Sequence, residues 1–124
     1  MLRLVVAGLG RNEIKRFAEA TGGDRVRVTS LSDVEAARAV KLGHADYYIG
    51  ACASGRGGAL TMAIAILGYD KCQLVSTQGS APSPADVKGK VRAGSHQAFG
   101  INYIHAGQVI PPLVEALLEK HGCG

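Results

Sequence analysis

The chain has 124 residues, 47% hydrophobic and 19% charged, which predicts a single globular domain over residues 1–124 and excludes a disordered chain of low hydrophobicity and dense charge. A net charge of +4 comes with no basic cluster beyond Lys88-Gly89-Lys90-Val91-Arg92, read as a solvated helix face, so an anionic small molecule is the expected partner and nucleic acid is not. Cys52, Cys72 and Cys123 have no disulfide-framework spacing, no basic-then-apolar leader opens the chain, and no apolar run nears the ~20 residues that cross a bilayer; a cytoplasmic protein without membrane insertion is expected.

Residues 2–7 read as a buried strand ending at Gly8. Ile14, Phe17, Ala18 and Thr21 share one helical face, and Gly22-Gly23 stops that helix. Residues 25–29 alternate polar and apolar, the pattern of a half-exposed edge strand. Ser32-Asp33-Val34-Glu35 is a capping box opening a helix that carries Val34, Ala37 and Val40 and ends at Gly43. A third strand covers residues 45–51, with Asp46 as a turn or cap residue and Tyr47 and Tyr48 divided between core and interface. Residues 58–67 form a helix that is apolar almost all round, hence buried on more than one side. In so small a domain a subunit interface is the expected second cover, which predicts a homo-oligomer. Residues 72–76 read as a fourth strand with Cys72 in the core. Ser83-Pro84 starts a helix that Gly94 ends, and residues 97–101 form a fifth strand. Val109, Ile110, Leu113, Val114, Leu117 and Leu118 stripe a last helix, in which Pro111-Pro112 marks the start or a kink and Gly122 the stop.

Strands and helices alternate throughout, and helical crossovers impose parallel pairing. The fold class is therefore α/β: one three-layer domain, a five-stranded mostly parallel sheet with helices on both faces, Rossmann-like, of strand order 2-1-3-4-5 or a relative of it.

In such a sheet ligands bind beyond the carboxyl ends of the strands, between the first and third, where strand order reverses. Two glycine-rich loops fall there, Gly8-Leu9-Gly10-Arg11-Asn12 and Cys52-Ala53-Ser54-Gly55-Arg56-Gly57-Gly58. The second runs from a buried strand into a helix N-terminus, where main-chain N–H groups and the helix dipole favour an anion. Ser54 adds a hydroxyl, Arg56 a cation, and Gly55, Gly57 and Gly58 allow close approach of the backbone. Cys52 would feel the same positive field, which suits a nucleophile, base or phosphate carrier; a small buried hydrophobe is the alternative. Gly10, Arg11, Asn12, Asn102 and His105 complete the candidate ligand-binding set. Tyr103 closes the fifth strand beside Asn102, where it either lines the crevice or belongs to a polar loop.

Glu13 stands where a dinucleotide fingerprint would place glycine, and no acidic residue closes the second strand, so no NAD site is expected. His44, His96, His105 and His121 lack metal-ligand spacing; neither a metal nor a cofactor is expected.

Two resemblances add to this reading. Val6-Ala7-Gly8, Asp46-Tyr47-Tyr48-Ile49-Gly50-Ala51-Cys52, the glycine loop, Ala98-Phe99-Gly100 and Ile110-Pro111-Pro112 resemble the YhfU-like family of small uncharacterised bacterial proteins over nearly the whole chain. That family is associated with a membrane transporter and with metal-dependent hydrolase or aminotransferase-like proteins, which implies a transporter-associated partner. Cys52-Ala53-Ser54-Gly55-Arg56-Gly57 before an apolar helix is also similar to the Cys-Gly-Thr-Gly-x-Gly loop of type B ribose-5-phosphate isomerases and galactose-6-phosphate isomerase subunits. The resemblance implies a loop that cradles the reacting end of a sugar phosphate, with Cys52 as the base. Leu9-Gly10-Arg11-Asn12 replaces that family's Asp-His pair, and no arginine follows Arg92. The same loop looks like the phosphocysteine loop of sugar phosphotransferase system B components, which there follows the first strand and here the third. Three readings stand: an anionic-metabolite-binding protein, isomerase-like with proton transfer at Cys52; a phosphocysteine carrier or transport-coupled subunit; and a non-catalytic regulatory or assembly protein.

Overall fold

The computed structural model describes residues 1–53 and 57–122. Strands and helices alternate in them as β1 (Leu2–Gly8), α1 (Arg11–Gly22), β2 (Val26–Ser30), α2 (Asp33–Lys41), β3 (Tyr47–Cys52), α3 (Gly58–Leu67), β4 (Cys72–Leu74), α4 (Pro84–Arg92), β5 (Ala98–Asn102) and α5 (Ala106–His121). Short 3₁₀ turns occupy Gly23–Arg25, Tyr69–Lys71 and Tyr103–His105. The capping serines act as read: Ser32 Oγ accepts the Glu35 N–H, although the Glu35 carboxylate takes the Ser32 hydroxyl in place of the reciprocal backbone N–H, and Ser83 Oγ accepts the Asp86 N–H ahead of Pro84.

All strands are parallel, in the order β2-β1-β3-β5-β4. This corrects the expected order 2-1-3-4-5: β5 lies inside and β4 at the edge. Burial gives the reason. Every residue of β5 is buried, as a strand flanked on both sides requires, whereas all three residues of β4 are half-buried. The fourth strand is also shorter than expected. Val75 and Ser76 both turn their N–H groups onto the Gly100 carbonyl, and Ser76 Oγ takes the Asn102 N–H, which ends the ladder.

Strand order fixes the helix layers. A right-handed crossover puts its helix on one face when the chain steps one way and on the other when it steps back. The steps β1 to β2 and β4 to β5 run one way; β2 to β3 and β3 to β4 run the other. Accordingly α1, α4 and α5 pack together on one face, over Leu4, Val6, Ile49, Phe99 and Ile101, while α2 and α3 share the opposite face, over Val5, Ala7, Tyr48 and Ala98. The helix α5 begins at Ala106 and passes through both prolines. They deprive the Gly107 and Gln108 carbonyls of helical partners; both residues are exposed, so water serves instead. Of the apolar residues of α3 only Ala59, Leu60 and Ala63 are buried by this chain.

At the amino edge of the sheet Asp46 accepts the Arg3 backbone N–H at 2.8 Å and Arg3 Nη2 at 2.9 Å, with His121 Nε2 at 3.8 Å. Partial burial pushes the Asp46 carboxyl up, but the Arg3 hydrogen bonds and charge together outweigh it and hold the group below its ordinary range. A carboxyl depressed on folding contributes stability that is present above its unfolded value, about 4, and is lost as pH falls through the folded one. Asp46→Asn is therefore expected to lower stability near neutrality and to flatten its acid-side decline, measured by urea unfolding across the acid range. An unchanged acid decline would show that the pair contributes nothing.

Candidate functional site

The carboxyl ends of β1, β3 and β5 lie side by side. The chain leaves β1 and β5 toward the α1/α4/α5 face and leaves β3 toward the α2/α3 face, so helices diverge on both sides of β3, the topology that places a ligand site above its end.

The loop after β1 is clamped to β3. The Leu9 N–H donates to the Ala51 carbonyl at 2.9 Å, and Gly8 turns the chain at φ +90° with its Cα so close that a Cβ would stand 2.1 Å from that oxygen. Gly10 caps α1 at φ +67°, and the Tyr103 ring, from the turn after β5, lies on it; a Cβ there would meet the ring at 2.0 Å. Tyr103 thus reaches from β5 to the β1 loop across the end of β3. Its hydroxyl donates to the Glu13 carboxylate at 2.9 Å, and that hydrogen bond and charge hold the phenol proton above the usual tyrosine range.

Cys52 ends β3, half-buried, on the same pleat as Tyr48 and Gly50, facing α3. Gly50 makes room for the helix: a Cβ would lie 2.9 Å from the Ala59 methyl. Tyr48 donates its hydroxyl to the Ala59 carbonyl at 2.5 Å, and burial pushes its phenol far above the ordinary range, so it stays a donor. These contacts set the start of α3 directly over the cysteine. The Gly57 N–H donates to Cys52 Sγ at 2.9 Å, and a side chain at Gly57 would crowd the same sulfur at 3.0 Å. The Asp33 carboxylate, from the start of α2, comes within 3.9 Å of where a Gly58 Cβ would stand.

The structure thus brings Cys52, Gly57 and Gly58 together, with Gly10 under the Tyr103 ring at the end of the neighbouring strand. Ser54, Gly55 and Arg56 lie outside the described residues, as does Cys123. Arg11 directs Nη1 to the Leu31 carbonyl at 2.5 Å, tying α1 to the end of β2, and Asn12 is exposed in the first turn of α1. Asn102 is the register partner of Cys52, but its side chain holds the neighbouring loops: Nδ2 donates to the Thr77 carbonyl and Oδ1 accepts the Ile104 N–H. His105 is buried, and its Nε2 donates to the Gly79 carbonyl at 2.9 Å. Its Nδ1 is buried with no hydrogen-bond partner among the described residues. Tyr103 lies on Gly10 and bonds Glu13, between the ends of β5 and β1. Glu13, bonded to Tyr103, and Asp33, beside Gly58, stand next to the candidate set without belonging to it. Each carries a sequence signal, a blocked dinucleotide position and a capping box, that on its own speaks only of local structure.

The model of a family described as "Protein of unknown function DUF2620" matches residues 2–117. Curated relatives from Escherichia coli strain K12 and Shigella flexneri, each called "Uncharacterized protein YhfU", are 40% identical over 117 residues, covering 94% of this chain and 99% of theirs. Among solved structures, a type B ribose 5-phosphate isomerase from Trypanosoma cruzi superposes with a TM-score of 0.71 at 10% identity over 93% of this chain and 83% of its own. Ribose-5-phosphate isomerase B from Giardia lamblia gives 0.65 at 16% identity over 95% and 94%, and that from Thermotoga maritima 0.64 at 14% over 94% and 86%. At those identities the likeness establishes a shared fold. No helix among the described residues is long and apolar enough to cross a membrane.

Proposed function

We propose a function for a chain that belongs to the DUF2620 family: it binds a small anionic metabolite, a phosphorylated sugar first of all, over the β3–α3 turn, and moves a proton within it at Cys52. The observation that carries this reading is the Gly57 N–H aimed at Cys52 Sγ where α3 begins, above the end of the central strand. That arrangement gives one place both a proton acceptor and main-chain N–H groups for developing negative charge. The isomerase fold of the structural neighbours supports the same choice of substrate class.

In the proposed step Sγ takes the proton from the carbon beside a carbonyl and returns it to the carbonyl carbon, while a hydroxyl proton passes between the two oxygens. The atoms balance without a further reactant. The Gly57 N–H stays on the sulfur, and the N–H groups at Gly58 and the first turn of α3 hold the oxygen that becomes negative. Gly10 and Tyr103 wall the crevice, and Asn102 and His105 support it. Ser54, Gly55 and Arg56 join the anion site by sequence alone, and Arg11 and Asn12 lie near its rim. The cytoplasm, which keeps thiols reduced, is the setting we propose.

Thermal unfolding tests the reading with ribose 5-phosphate, inorganic phosphate and unphosphorylated ribose. The phosphorylated sugar is expected to stabilise the protein, by about 2.7 kcal/mol when present at 100 times its dissociation constant, and ribose is expected to do nothing. No stabilisation by any phosphorylated sugar would overturn it.

A further inference from the structure

The two edges of the sheet are not alike. On β2 the exposed positions carry Arg27 and Thr29, with Arg25 just before, the usual charged protection of an edge. On β4 the sequence Cys72-Gln73-Leu74-Val75 has no charge, no proline and no glycine. Its open side faces a groove of about 520 Å³ between β4 and α3, walled by Leu60, Thr61, Ile64, Cys72 and Leu74, with Asp70, Gln73 and His96 as its polar lining and Tyr69 80% exposed at its mouth. The helix above it contributes no Asp, Glu, Lys or Arg from Gly58 to Leu67.

We propose that this groove is closed by a second copy of the same chain, through antiparallel pairing of β4 with β4 about a two-fold axis perpendicular to the sheet at Leu74. Three features select that occupant. First, the hydrogen bonding is self-complementary. Val75 donates inward to the Gly100 carbonyl, so alternation turns the Leu74 N–H and C=O outward, where each can bond the other copy's Leu74. The outward Cys72 N–H is already bonded to the Tyr69 carbonyl, which makes Leu74 the natural centre. Second, that axis keeps like faces together. Leu74 pairs with Gly100 on the α3 side, so the two Leu74 side chains meet beneath two antiparallel copies of α3. Third, charge allows it. Each chain bears +4, so two copies approach most easily across a surface free of excess positive charge; the groove carries the Asp70 carboxylate, which the adjacent Lys71 offsets. The half-exposed apolar residues of α3 gain their second cover, and the two sheets become one. This arrangement is independent of the ligand reading above.

Light scattering at micromolar concentration tests it. The wild-type protein is expected at twice the 12.8 kDa chain mass. Leu74→Pro removes an N–H that the isolated chain leaves at the edge, and Thr61→Arg sets like charges across the axis at an exposed position; each is expected to halve the mass with the circular dichroism spectrum unchanged. Arg27→Thr on the opposite edge is expected to leave the mass as it is. Deuterium exchange adds a local readout, in which the Leu74 amide is protected in the wild type and loses that protection in Thr61→Arg. A monomeric wild type overturns the proposal, as does an oligomer that survives Thr61→Arg.

Discussion

Gly8→Ala is expected to destabilise the protein by about 2–5 kcal/mol, of which the left-handed backbone accounts for about 1–2 and the crowding for about 1–3. The crowded atom is the Ala51 carbonyl oxygen, 2.1 Å from the new methyl, and it is a backbone atom already engaged by the Leu9 N–H. Relief therefore requires β1 and β3 to separate at their carboxyl ends. Gly43 is the control, with φ +79° and nothing within 4 Å of an added methyl, so Gly43→Ala bears only the backbone part. Urea unfolding of both variants isolates the clash, and equal losses would show that the approach of the two strands is not what demands glycine at position 8. Since a domain of this kind is stable by only about 5–15 kcal/mol, the larger loss threatens folding itself.

The same contact shows what the sequence makes legible. Alternating strands and helices, the capping serines and the limits of α3 follow from local rules of spacing and backbone chemistry, and the structure reproduces them. The position of the candidate site is legible too, because glycine density at Gly8-x-Gly10 and after Cys52 falls at the ends of β1 and β3, which pair directly. Strand order beyond β3 is not local. Whether β5 enters beside β3 or beyond β4 depends on which strand can be buried on both sides, and Ala98-Phe99-Gly100-Ile101 meets that demand better than Cys72-Gln73-Leu74. The clue lies in the composition of the two strands, and pairing them in chain order hides it.

Side-chain roles at the crevice are harder to read, for a related reason. Asn102 and His105 are correctly placed at the carboxyl end of β5, yet their polar atoms meet Thr77, Gly79 and Ile104, loop groups whose approach only the finished topology decides. Tyr103 and Glu13 are 90 positions apart, and their hydrogen bond exists only because β1 and β5 flank the same strand. A neighbour brought in by tertiary structure leaves no periodic trace in sequence, whereas a cap or a glycine turn does.

On the proposed reading, Cys52→Ala removes the proton acceptor and leaves the main-chain N–H groups in place. The two halves of the proposal therefore separate. Proton exchange between bound metabolite and solvent, followed as deuterium incorporation at the carbon beside the carbonyl, is expected to fall by about 10²–10⁴, the usual contribution of a positioned general base. Stabilisation by the same metabolite is expected to persist, since nothing that holds the anion has been removed. The Gly57 N–H loses its acceptor, so a modest loss of about 1 kcal/mol in intrinsic stability should accompany the change and must be subtracted before ligand effects are compared. Cys52→Ser distinguishes a base from a filler of space. It restores a hydrogen-bond acceptor of similar shape, but its hydroxyl is a far weaker acid than a thiol and stays protonated, leaving no base to take the carbon-bound proton, so stability should return while exchange stays low. Exchange undiminished in Cys52→Ala would move the base to another group in the crevice. Loss of binding together with exchange would mean that the sulfur holds the turn in shape and takes no proton.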